Sequence, residues 1–337
     1  MPILSDWLSR LLDMVPVRGR LDLRCFYGAP WRIEQGPAVA GEIPYHAVLS
    51  GSAVLEDPAG GPPRHLASAD ILLLPTNPVH VLHDGSGSPP VPAHARQHTN
   101  LTISENAGTG DRLDMLCGHF TITPPHDRLI QGYLPSPLVV RAADQEAAGQ
   151  SETATQLAGL VSLMRIESAA ENLGGRAMLN ALSTALFAVI LRRAGEAETA
   201  PTGLLALAGH PRLAPALNAL LHEPGRPWSL PELARLCHMS RATLVRHFQD
   251  RLGRSASELL TDIRMTLAAT ELRKPTVSMG ALAEMVGYQS EAAFQRAFKH
   301  HMGVTPSQWR RSHAPSSGDY SSRGGPGSGA GVPAHRR

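Results

Sequence analysis

The chain is 337 residues long, room for two domains and a helical connector. No apolar run approaches the roughly 20 residues that span a membrane, and the start MPILSDWLSRLLDM lacks the basic head and continuous apolar core of a signal peptide. Three widely spaced cysteines, Cys25, Cys117 and Cys237, give no disulfide framework and suit a reducing, cytoplasmic setting. The net charge of +2 hides an asymmetry. Residues 210–312 hold fourteen Lys/Arg against eight Asp/Glu, whereas residues 1–141 hold ten against thirteen and 142–209 four against seven. A basic module on an acidic body is the footprint of a protein that meets a polyanion with one end only.

In chain order, Ile3, Leu4, Trp7, Leu8, Leu11 and Leu12 predict a short amphipathic helix over 3–13. From Leu21 to Val140 the pattern changes to short β-type runs: Leu21–Phe26, Tyr45–Ser50, Ala53–Leu55, Ile71–Leu74, Val79–His83, Leu101–Ser104, Leu113–Cys117 and Phe120–Thr123. Turn residues separate them, which predicts an all-β sandwich or barrel. Gly85–Pro92 reads as a loop. Residues 142–151 form a small, polar linker, and 155–168 and 176–193 an αα-hairpin turning at Gly174-Gly175. That hairpin covers the barrel or pairs with a second copy. Residues 194–203 read as a second linker.

Beyond it, Ala214, Leu217, Leu220 and Leu221 start a helix that Glu223-Pro-Gly-Arg-Pro227 ends. Ser229 caps a helix over 230–237, and His238-Met239 turns into a further helix capped by Ser240. That is a helix-turn-helix. A long helix over 255–274 stops at Pro275, and a second helix-turn-helix follows, with its turn at Gly287-Tyr288-Gln289. The second helices of the two motifs repeat in register: Ser240/Ser290, Leu244/Phe294, Arg246/Arg296, Phe248/Phe298 and Gly253/Gly303. Gly287 takes φ > 0 freely, while His238 occupies the matching turn less comfortably. The last segment, 312–337, rich in Gly, Ser and Pro, is expected to be disordered.

Two resemblances follow from these residues. Pro44-Tyr-His-Ala-Val-Leu-Ser-Gly51 and Ala69-Asp-Ile-Leu-Leu-Leu-Pro-Thr-Asn-Pro-Val-His80, with Cys117-Gly118, resemble the cupin sensor domains of some bacterial transcription regulators. Residues 210–311, above all the stretch from Leu282 to Arg310, resemble the DNA-binding domain of AraC/XylS-type regulators. Ala256 stands where that family usually has proline, which should loosen the helix start slightly.

Together they predict a multidomain fold: a cupin-like all-β barrel (1–141), a helical hairpin and linker (142–205), an all-α domain with two helix-turn-helix motifs (206–312) and a tail (313–337). The resemblance implies double-stranded DNA as partner, with the two helices in successive major grooves roughly 34 Å apart. Candidate DNA-contacting residues are Ser240, Arg241, Ala242, Val245 and Arg246 in the first copy, and Ser290, Glu291, Ala292, Gln295 and Arg296 in the second. Arginine pairs bidentately with guanine, and small apolar groups meet thymine methyls.

Metal-binding cupins carry two His one residue apart in the first motif, and here Val48 stands in for the second. The ligand set is incomplete, so no cofactor, metal site or catalytic residue is expected. His46, His80, Cys117 and His119 are candidates for binding a small-molecule effector; His83 joins them only in the alternative metal-ligand reading, and Cys25 enters only beside Cys117 in the alternative of a thiol that senses electrophiles. The leading expectation is a cytoplasmic, effector-controlled transcription regulator, by family analogy an activator, with RNA polymerase and a second copy as further partners. A cupin metalloenzyme carrying a DNA-binding domain is the rival, and a constitutive DNA binder the third reading.

Overall fold

The computed structural model describes residues 6–36, 39–57, 60–76, 79–124, 126–141, 151–196, 202–274 and 276–313. The polar linker up to Gln150 and the tail from Ala314 lie outside them, as do residues 197–201 of the second linker.

The amino-terminal half contains α1 (Trp7–Met14), β1 (Val17–Gly28), β2 (Arg32–Gln35), β3 (Glu42–Ser50), β4 (Ala53–Glu56), β5 (Arg64–Leu66), β6 (Asp70–Leu73), β7 (His80–His83), β8 (Ala93–Gln97), β9 (Thr102–Asn106), β10 (Arg112–Ile122), α2 (Asp127–Tyr133) and β11 (Leu138–Arg141). A seven-stranded sheet in the order β11-β6-β3-β10-β1-β9-β8 faces a four-stranded sheet in the order β2-β7-β4-β5. Alternation sends Val48, Leu72, Met115 and Cys117 inward, between the sheets. Their neighbours Tyr45, Ala47, Leu116 and Phe120 face outward, into a second core.

Two predicted strands, 113–117 and 120–123, are one continuous β10. Gly118 does not break it, because a Cβ there would sit 2.1 Å from the Arg20 carbonyl and 2.7 Å from the Tyr45 hydroxyl. Close packing, not a turn, requires glycine at that point.

The outer face of the large sheet is covered by α3 (Glu152–Ala169) and α4 (Gly175–Gly195). Tyr45 stacks on Phe120 (4.7 Å between ring centroids), Phe120 meets Phe187 (4.9 Å), and the Tyr45 and Ser183 hydroxyls lie 2.7 Å apart. Arg24 and Asp114 form a buried bidentate ion pair (2.9 and 2.8 Å), and Arg24 also donates to the Arg165 carbonyl and to Ser168. The last turn of α3 is thereby pinned to the barrel. By length and composition α4 could cross a membrane, contrary to the expectation that no segment could. Its buried Leu179, Leu186, Phe187 and Ile190 instead pack into the domain core.

The chain continues through α5 (Leu204–Ala208), α6 (Ala214–His222), α7 (Leu230–Leu236), α8 (Arg241–Leu252), α9 (Ala256–Glu271), α10 (Met279–Met285), α11 (Glu291–Met302) and α12 (Pro306–His313). The expected boundary at residue 205/206 falls inside α5, whose residues 204–207 are all buried, and α4 runs into the segment read as a linker. Ser240 and Ser290 cap α8 and α11 by accepting from the third residue onward. Gly253 (φ 71°) and Gly303 (φ 79°) close both helices in the left-handed region. The expected loosening at Ala256 meets a full capping box, in which Ser255 and Glu258 satisfy each other's backbone N–H groups.

Both turns adopt positive φ at the matched position, His238 at 51° and Gly287 at 79°. At Gly287 a Cβ would also lie 2.3 Å from the Gly225 carbonyl and 2.6 Å from an Arg264 nitrogen. Gly287→Ala is therefore expected to destabilise the second motif by about 1–3 kcal/mol. Urea unfolding followed by hydrogen exchange in α10 and α11 measures it, and an unchanged midpoint would refute the strain.

Candidate nucleic-acid interface and barrel cluster

The faces of α8 and α11 can be compared position by position. In both, the first ten residues follow one burial sequence: two exposed, one half-buried, one buried, then the same again and two exposed. Leu244 and Phe248 are the buried pair of α8, and Phe294 and Phe298 that of α11. The apolar pair at i, i+4 anchors each helix in its own core, so the opposite stripe is presented outward by geometry alone.

Arg241, Ala242, Val245 and Arg246 form the exposed stripe of α8, and Glu291, Ala292, Gln295 and Arg296 that of α11, with Ser240 and Ser290 exposed at the caps. Val245 is 46% exposed, an apolar contact surface within a polar face. Gln295 donates to the Glu291 carboxylate at 2.7 Å, which draws that negative charge along its own helix. Arg241, Arg246 and Arg296 make no side-chain hydrogen bond or ion pair with the described residues. The same stripes continue one turn further, to Gln249 and Lys299, which the sequence reading left out although the i+3 spacing points to them.

Inside the barrel, His46 lies between Cys117 and His80: Nδ1 is 3.2 Å from the Cys117 Sγ and Nε2 is 2.9 Å from the His80 Nε2. Cys25 completes the group, its Sγ 3.9 Å from that of Cys117. Burial, and then the neighbouring His80, lower the His46 pKa from 6.5 to about 3, so the ring is neutral at pH 7. Its hydrogen bond with Cys25, together with burial, holds the Cys117 thiol well above the ordinary range. His46 bridges the group by donating from one ring nitrogen and accepting at the other.

Three of the four predicted barrel residues thus converge, and Cys25 replaces the fourth. His119 does share a strand face with Cys117, but a bulge between Leu21 and Leu23 sets Asp22 against it. His119 Nδ1 lies 2.6 Å from the Asp22 carboxylate, which raises the imidazole pKa. His83 faces Glu56 at 3.7 Å instead. Cys117 and His80 contact different nitrogens of one ring, whereas metal ligands must converge on a single point. Among the described residues no group of three or more His, Cys, Asp or Glu has a metal-binding arrangement.

The chain matches the cupin family over residues 6–196 and the helix-turn-helix domain family over 233–312. An uncharacterized HTH-type transcriptional regulator of Haemophilus influenzae is 32% identical, covering 91% of this chain and 99% of that protein. The RCS-specific HTH-type transcriptional activator RclR of Escherichia coli is 28% identical over 90% of this chain and 97% of its own. The HTH-type transcriptional regulator MtrA of Neisseria gonorrhoeae is 28% identical over 91% and 98%. The chain is an AraC-type transcription regulator with an amino-terminal cupin domain.

The regulator is accordingly not an enzyme, and the rival reading as a cupin metalloenzyme falls. The barrel holds His46 buried and neutral beside Cys117 and His80, and this has a thermodynamic consequence. Between pH 6.5 and about 3 the unfolded chain carries a proton on His46 that the folded barrel excludes. Stability is expected to fall as pH drops through that window, by at most about 1.4 kcal/mol per pH unit for this proton. His46→Gln should flatten the slope in denaturant melts recorded across the window. His126, lowered to about 4 by burial and then by Arg273, contributes a parallel slope that the variant leaves in place. An equally steep slope without His46 would exclude it as the source.

Proposed function

We propose that this regulator is an activator controlled by a small effector, which the barrel registers and the paired helices α8 and α11 convert into operator binding. The observation that carries the DNA-reading half is the matched exposure of the two helices, with an arginine at the same position in each that makes no side-chain hydrogen bond or ion pair among the described residues. In this reading Ser240, Arg241, Ala242, Val245 and Arg246 contact one major groove. Ser290, Glu291, Ala292, Gln295 and Arg296 contact the next. Arg246 and Arg296 pair with guanines, Val245 and the two alanines meet thymine methyls, and helix-start N–H groups hold phosphates. Activation is supported by the name of the Escherichia coli relative, a transcriptional activator. It makes RNA polymerase the downstream partner and the cytoplasm the place of action.

The effector is read at His46, His80 and Cys117, with Cys25 in the place first given to His119. The two sulfurs and two imidazoles of that cluster, and the "RCS-specific" name of the same relative, favour a soft effector over a sugar-like one. The domain plan is a sensing barrel up to residue 141, the α3–α4 hairpin, and a reader domain that begins at α5.

Arg296→Ala should weaken binding to a cognate operator by about 1–3 kcal/mol while changing random-sequence DNA far less. Fluorescence anisotropy on both duplexes at one salt concentration makes the comparison. Equal loss on both would demote Arg296 to a phosphate contact.

The reading also includes a homodimer formed through the hairpin. Leu163 (48% exposed) and Ile166 (63%) of α3 and Met178 (46%) of α4 are large apolar side chains left on its outer surface. Ala177, Ala181 and Ala185 are exposed beside them, small enough to let a partner helix approach. A two-fold pairing would cover these residues on both copies at once. Ile166→Glu is expected to convert a dimer to a monomer in sedimentation velocity at micromolar concentration. A wild-type monomer, or a variant that remains dimeric, would remove the hairpin from the interface.

A further inference from the structure

The seam between barrel and reader domain contains a group of polar side chains that neither DNA reading nor the barrel cluster uses. Helix α2 of the sensor lies against α9 and against the ends of both reader helices. Tyr133 at the end of α2 donates its hydroxyl to Asp262 of α9. Arg254, immediately beyond the glycine that closes α8, donates to the same carboxylate at 3.3 Å and lies over the Tyr133 ring at 5.2 Å. His301, in the last turn of α11, reaches the other Asp262 oxygen at 3.5 Å. From the sensor side, Arg128 of α2 donates to the His301 carbonyl at 2.7 Å.

Beside this contact lies a cavity of about 420 Å³, lined among others by Arg128, Gln131, Arg254, Asp262, Thr266 and His301. Its donors outnumber its acceptors. Each guanidinium carries five N–H donors and Gln131 adds two more. Against them stand the Asp262 carboxylate, already engaged by Tyr133, Arg254 and His301, and two neutral acceptors, the Gln131 amide oxygen and the Thr266 hydroxyl. Among the described residues, Arg128 has no carboxylate within ion-pair distance, and its guanidinium makes the one hydrogen bond to the His301 carbonyl. Two arginines from opposite domains thus border a water-sized-to-metabolite-sized space with unused donors, and arginine is the side chain best matched to a planar or tetrahedral oxyanion.

We propose that this cavity binds a small oxyanion, carried on a phosphate or a carboxylate, between Arg128 and Arg254. The bound anion neutralises the surplus positive charge and joins the sensor to the reader domain. Because Arg254 and His301 stand at the ends of α8 and α11, occupancy fixes both helices relative to the barrel at once. A ligand that binds the docked arrangement stabilises it in proportion to its saturation. The proposal does not require α8 and α11 to read DNA, and it stands or falls separately from that reading.

The test is a thermal-shift titration of the full chain with inorganic phosphate, at constant ionic strength held with chloride, and with succinate in a parallel arm. A saturable rise in Tm is expected with at least one probe; the arm that saturates at lower concentration identifies the phosphate or the carboxylate class. Arg128→Gln and Arg254→Gln should each raise the half-saturating concentration by about tenfold or more, as expected for loss of a charge-assisted contact. Arg64→Gln, exposed on β5 and remote from both the cavity and the reader helices, should leave it unchanged. Should Arg128→Gln fold poorly, Arg128→Lys keeps the charge without the planar fork and is expected to weaken saturation in the same direction. A rise that does not saturate in either arm, or saturation that the Arg128 and Arg254 variants share with the parent, overturns the site.

Discussion

The apolar core that runs without a break from the barrel into the reader domain governs how the rest of the molecule is arranged. It begins at Leu8 and Leu11 of α1 and passes over the outer face of the large sheet at Phe120. It continues through Phe187 and Ile190 of α4 and reaches Leu217, Leu233, Leu244, Phe248 and Ile263. The first helix-turn-helix therefore shares its hydrophobic interior with the sensor. The second has a core of its own, built from Met265, Leu282, Phe294, Phe298 and Trp309. Helix α9 belongs to both, with Ile263 on one side of the division and Met265 on the other. Burial of apolar surface is the main favourable term in folding, so the assignment of a helix to one core or the other decides what it moves with.

That division gives the repeat a physical asymmetry beyond its sequence differences. α8 is anchored to the barrel through shared packing, whereas the contacts of α11 toward it run through α9 and the polar groups at its own end. A change inside the barrel can be transmitted to α8 by shifts in packed side chains, which are discrete and stiff. It can reach α11 through the Asp262 contact with Tyr133, Arg254 and His301. Polar contacts across a seam are the more readily exchanged of the two, because water or an anion can replace a partner at small net cost. The reader closer to the sensor in packing is thus the more rigidly coupled, and the farther one the more adjustable.

Much of this was legible in the residues, and the reasons differ by level. The reader helices could be placed because cap, apolar pair and closing glycine are local signals that tertiary packing does not override. The left-handed turn at Gly287 extended correctly to His238, since matched positions in a repeat share backbone geometry. The barrel was readable as a class but not in its joints. The runs 113–117 and 120–123 proved to be one strand, and the close approach of Arg20 and Tyr45 that requires glycine at 118 is set by tertiary packing that the sequence does not show. The pairing of Cys25 with Cys117 depends on the register of β1 against β10, and a bulge at Asp22 alters that register. The same bulge takes His119 away from the cluster that simple alternation would have put it in.

Helix α2 is the clearest case of an inter-domain contact hidden from pattern. It is seven residues long, too short for periodicity to show, and it follows a strand without a capping side chain. Its importance comes from position: Tyr133 and Arg128 meet residues 129 and 173 positions away in the chain. Contacts of that separation carry no local sequence signal, because neither partner's neighbours need to change to accommodate them. Each nevertheless joins an element of the sensor to an element of the reader. A residue pattern can name the parts that touch DNA and the part that senses. The contacts that join the two domains are made by side chains that look like ordinary surface until the fold brings the domains together.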